Sequence, residues 1–233
     1  MIAVFHRQWK AFAHSPYFYS FLTLFFLGLG GLISMFHGSY QYANFEYVLW
    51  YFCVFFASLL PLITVWMFAE ERKKGVDRFV KALPISAREL VMGKLLASGL
   101  LLLVLSVFLL LVPIFLGLWG AVYYPSAYMA IFSFFLFALA MLAIDSFLAL
   151  VIRNYWVAMG VSYAVTVGMF LLYYLSRFLP EPFSLLLSRF SVFGSYSLFV
   201  FGILDLGAIG LYLSLIALFT FLTLLFAKKV WKE

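Results

Sequence analysis

The sequence predicts an all-α membrane protein with six transmembrane helices, and three observations point there. Apolar residues make up 67% of the 233 residues and charged residues only 10%, too few to cover a water-soluble domain. The apolar residues fall in unbroken runs, several longer than the roughly 18 residues that mark a spanning helix. None of the runs alternates as a barrel strand does, so helices are the spanning structure that satisfies its own backbone in hydrocarbon. Residues 1–233 therefore read as one membrane domain.

Residues 1–14 predict an interfacial helix, because Ile2, Phe5, Trp9 and Phe12 recur at helical spacing while Arg7 and Lys10 lie off that stripe. No small-residue cleavage site closes the apolar run that follows, so the run reads as a first span and not as a removable signal. Spans are expected at 17–36, 47–69, 95–120, 128–152, 155–176 and 206–227. Pro61 and Pro113 are expected to kink the second and third. Residues 177–205 carry Pro180, Glu181, Pro182, Arg189 and Gly194, too many interruptions for a span, yet are too apolar for a free loop. They predict short helices re-entering the outer leaflet, where irregular backbone must be covered by protein or line a cavity.

Charge sets the orientation. Of the 15 Lys and Arg, only Arg177 and Arg189 fall on one face; the other 13 lie at the termini, in the 72–94 stretch and at Arg153. Basic residues gather on the cytoplasmic face, which predicts a multi-pass protein of the cell membrane with both termini in the cytoplasm. The net charge of +6 is thus an orientation signal and gives no reason to expect nucleic acid. Cys53 is the single cysteine, so neither an intrachain disulfide nor a cysteine metal cluster is expected, and His6, His14 and His37 are too scattered for a metal site.

Concentrated polar chemistry occurs in one place, the loop of residues 69–94. Gly75 follows the cationic turn Arg72, Lys73 and Lys74, as a helix C-terminus favours. Asp77 can cap a short helix that Pro84 ends, with Phe79, Val80 and Leu83 on an apolar edge and Arg78 and Lys81 on a basic one. Ser86-Ala87-Arg88-Glu89 spells a capping box, from which a new helix should run into the third span. Such an amphipathic element could lie on lipid or dock a cytoplasmic partner.

The motifs Glu71-Arg72-Lys73-x-Gly75, Leu83-Pro84-Ile85-Ser86, Arg88-Glu89-Leu90 and Gly93-Lys94 resemble the signature loop of ABC-2-type transporter permeases. Phe201–Leu206 (FGILDL), then Tyr212-Leu213-Ser214 and Lys228-Lys229, resemble the last helix of the family's short six-span branch, which includes gliding-motility and nitrous-oxide-reductase-maturation permeases. The chain departs from the pattern at Val76, where the family usually has Thr, and at Gly207, where a second acidic residue often stands. The resemblance implies a type V exporter-like fold. It also implies a second permease chain and a cytoplasmic ATPase subunit that carries the ATP and Mg. Residues Asp77, Arg78, Phe79, Lys81 and Leu83 would match the coupling helix, with Glu70, Glu71 and Arg72 at its root. No ATP site is expected in this chain: Gly93-Lys94 lacks the phosphate-loop pattern, with Arg88 where the first glycine belongs and Leu95 where Ser or Thr belongs.

Asp145 stands inside the fourth span, a depth at which ionisable groups serve a cavity or a partner; a substrate-path contact and a structural hydrogen bond both remain open. Asp205, with Glu181, Arg177 and Arg189, falls on the outer face, as an outer gate or as solvated interface charge. Gly160, Ala164 and Gly168 repeat every four residues, which suits a dimer seam or close packing within the chain. A membrane protease of the Glu-Glu-x-x-x-Arg type is not expected, since position 75 is Gly and no His follows position 37. The alternative to the permease is an autonomous channel or secondary transporter, which calls for more intramembrane charge or an internal repeat than this sequence has.

Overall fold

Once a run of Leu, Phe and Ala leaves water, each peptide group must find its partner along its own helix. The computed structural model follows that rule throughout. It describes residues 2–39, 44–73, 86–118, 120, 122–181 and 183–230, and among them forms nine helices. These are α1 (Ile2–Ala13), α2 (Pro16–Ser39), α3 (Phe45–Lys73), α4 (Ala87–Gly117), α5 (Tyr124–Val151), α6 (Tyr155–Ser176), α7 (Phe183–Phe190), α8 (Val192–Val200) and α9 (Leu206–Val230). Six of them, α2 to α6 and α9, are long and apolar enough to cross a membrane.

The helix ends have local causes. Helix α4 starts well before the expected third span because Ser86 and Glu89 form the capping box there. Asn154 caps α6 by accepting from the Trp156 N–H at 3.0 Å, and Ser191 caps α8 by accepting from Gly194. Pro61 and Pro113 lie inside α3 and α4.

Helix α5 is the hub. It is apolar on every side, and most of its residues are buried against α3, α4, α6, α8 and α9. Between helices in a membrane, close packing replaces the hydrophobic drive, and aromatic rings supply much of it here. Phe25 meets Phe52 edge-on at 5.0 Å between ring centres, and Phe56 meets Phe134 at 4.9 Å.

Helix α1 packs on α2 and α4. Phe12 of its apolar stripe is buried, 5.0 Å from the Phe18 ring and 6.0 Å from that of Trp66, whereas Arg7 and Lys10 are exposed. The protein itself therefore covers part of the stripe expected to face the membrane interface.

Between α6 and α9 the chain forms the two short helices α7 and α8. Helix α8 is sealed into the bundle: Tyr196 donates to the Ala130 carbonyl at 3.4 Å and stacks on Trp50, while Tyr212 of α9 donates to the Val192 carbonyl at 2.9 Å. Gly194 permits the sharp α7–α8 corner, because any Cβ there would run into the Ser188 carbonyl.

Candidate functional site

The root of the polar loop is built by two devices. In the capping box, the Glu89 N–H donates to Ser86 Oγ at 3.3 Å, and the Ser86 N–H donates back to Glu89 Oε2 at 3.2 Å. This gives α4 a defined start. Two turns further on, the Lys94 ammonium reaches across to α3, where Nζ donates to the Met67 carbonyl at 2.8 Å and sits 5.0 Å from the centre of the Phe68 ring. Lys94 is 3% exposed. A cation this deep holds only with acceptors around it, so the contact is a tie between the two helices that flank the loop.

The sequence places Lys94 in the Gly93-Lys94 motif and on the basic face, and neither reading points to a tie. The available signal was an ammonium two turns inside an otherwise apolar helix. Of the residues assigned to docking, Asp77, Arg78, Phe79, Lys81 and Leu83 lie outside the described residues. The backbone of Glu70, Glu71 and Arg72 belongs to the last turn of α3, while their side chains are outside the described set.

Asp145 is fully buried in α5. Ser162 and Tyr163 of α6 stand close enough to act on each other with it, yet neither carboxyl oxygen has a hydrogen-bond partner of normal geometry. Neighbouring Ser146 is committed to the Leu142 carbonyl at 2.6 Å. Among the described residues Ser162 is thus the side chain placed to bond Asp145, short of normal hydrogen-bond geometry. An apolar groove of about 610 Å³ runs along another side of α5, between α4 and α9, and Phe5 of α1 reaches into it.

At the opposite end of the bundle, the four charged residues expected together are separated. Arg177 donates to the Tyr173 hydroxyl and lies over that ring, 4.9 Å from its centre, and Glu181 is exposed. Asp205 and Arg189 instead line one cavity of about 580 Å³ between α7, α8 and α9. Asp205 Oδ1 accepts from the Gly207 N–H at 2.8 Å, which starts α9.

The small residues of α6 face outward. Gly160 and Ala164 are exposed and Gly168 half-exposed, and a Cβ on either glycine would meet nothing within 4 Å. The stripe is thus not used for close packing within this chain.

No family model, curated protein or solved structure matches the chain. The reading of the site therefore rests on its own geometry and on the motif resemblance. Geometrically, α3 and α4 are tied to each other next to the 74–85 stretch, which lies outside the described residues.

Proposed function

We propose that the chain is the permease subunit of an ABC transporter, an exporter half or an extruder of lipid or amphiphile, driven by separate cytoplasmic ATPase subunits. The observation that carries this reading is the Lys94 tie to α3 directly beneath the loop whose motifs resemble the ABC-2 signature. A docking element transmits force only if its two ends cannot slide independently. The capping box and the tie supply that stiffness.

In this reading Asp77, Arg78, Phe79, Lys81 and Leu83 form the coupling helix that seats in the ATPase, and Glu70, Glu71 and Arg72 relay its motion into α3. ATP and Mg reside on the ATPase, and closure of two ATPases swings the paired permeases. The outward stripe of Gly160, Ala164 and Gly168 suits the contact between permease chains, since small residues allow helices to approach closely. Helices α7 and α8 re-enter the outer leaflet, with both chain termini on the cytoplasmic side of the cell membrane. Asp145 and Asp205 are the charged groups available to a substrate path or gate.

The test is purification from native membranes in mild detergent. A stoichiometric ATP-binding chain should accompany the permease at low ionic strength. Substituting Asp77→Lys or Leu83→Glu should uncouple ATP hydrolysis from transport while membrane insertion stays normal. Absence of any ATP-binding chain at every ionic strength, or normal coupling in both variants, overturns the reading.

A further inference from the structure

The cavity between α7, α8 and α9 has a chemistry that the coupling scheme does not use. Its α9 wall is hollowed by glycines: Gly207 and Gly210 occupy the face that Leu211, Ser214 and Leu215 continue. Its polar atoms divide cleanly. The Ser195 hydroxyl hydrogen is committed to the Arg189 carbonyl at 3.2 Å and that of Ser214 to the Leu211 carbonyl at 2.8 Å. The Asp205 carboxylate lines the same cavity, and its Oδ1 takes the Gly207 N–H. Arg189 is exposed on the same cavity, presents donors only, and makes no ion pair with Asp205. The cavity thus carries a cation at its α7 side and a carboxylate at the start of α9. The remainder, Phe190, Leu198, Leu211 and Leu215, is apolar.

We propose that this cavity binds the headgroup of a phospholipid bearing a primary amine, with the phosphate on Arg189 and the ammonium on Asp205. Opposite charges that line one cavity without pairing with each other favour a ligand that carries both signs, and a carboxylate, which only accepts, favours an ammonium that still has N–H groups. The apolar lining suits the start of an acyl chain. The cavity lies at the end of a membrane-spanning helix, on the outer leaflet in the orientation that the basic residues predict. The site shares Asp205 with the substrate path of the permease reading, but binding here needs no ATPase, so the two fail independently.

The experiment titrates the full chain, purified in mild detergent, with short-chain phosphatidylethanolamine and phosphatidylglycerol, and reads bound lipid by native mass spectrometry. Charge-assisted hydrogen bonds to the ammonium should favour phosphatidylethanolamine by about tenfold. Asp205→Asn keeps the N-terminal cap of α9 but removes the charge, and should erase that preference. Arg189→Gln should weaken both lipids by about tenfold. Gly210→Leu fills the cavity where a Cβ meets nothing within 4 Å, so the protein should fold normally and lose binding. Equal affinity for the two lipids in the unaltered protein overturns the proposal, as does a phosphatidylethanolamine preference that survives Asp205→Asn or lipid binding that survives Gly210→Leu.

Discussion

Substituting Lys94→Met keeps the length and apolar stem of the side chain and removes only its ammonium. Among the contacts with described residues, three energies compete. The charged hydrogen bond to the Met67 carbonyl contributes about 1.5–3 kcal/mol. The Phe68 ring contributes up to about 2 kcal/mol, because at 3% exposure the cation is desolvated. Burying the ammonium costs several kcal/mol, and Met relieves that cost. Net destabilisation should therefore be modest, about 1–2 kcal/mol, or a fall of roughly 2–8 °C in the midpoint of thermal unfolding in detergent. The sharper readout is coupling. In a double-mutant cycle of Lys94→Met with Phe68→Leu, the pair should show about 0.5–2 kcal/mol of interaction energy. A spin-label pair on the loop ends of α3 and α4 should also report a broader distance distribution in Lys94→Met. If the coupling is zero and the distribution is unchanged, the two helices are held by something else, and the stiffness argument fails.

Gly194→Ala should destabilise by about 1–3 kcal/mol, since its Cβ has no room beside the Ser188 carbonyl, while Gly210→Ala, in open space, should not; thermal unfolding compares them. Asp145→Leu should stabilise by about 1–3 kcal/mol, because it removes a buried carboxyl whose oxygens have no hydrogen bond of normal geometry among the described residues; a large loss instead would reveal a partner for that carboxyl. Gly160→Leu combined with Gly168→Leu should leave the monomer fold intact and abolish chain pairing, measured as mass by light scattering in detergent.

The six long helices were legible because a run of apolar residues in a membrane has one structural solution. Helix starts were legible where capping chemistry is local, as at Ser86 and Glu89. Facing was not. A span that is apolar all round carries almost no periodic signal, so nothing in the sequence distinguishes the buried α5 from the outward stripe of α6. Charged residues were found as residues but not as partners. Arg177 and Arg189 read alike, yet one is spent on Tyr173 and the other lines a cavity with Asp205. Lys94 read as part of a motif and turned out to be a cross-brace, because its acceptor is a backbone carbonyl on another helix that no sequence pattern marks. The 177–205 segment was legible as short helices, while the burial of α8 beneath Trp50 depends on long-range packing alone.

Cys53 is fully buried, so a cysteine introduced by Lys81→Cys would be the one accessible thiol of this chain. With a thiol-directed cross-linker at that position, a cytosolic ATP-binding chain should be captured as the main protein adduct. Labelling of the same thiol by a membrane-impermeant maleimide added outside the cell would contradict the placement of the loop. Efficient modification with no protein adduct would contradict its role as a drive point.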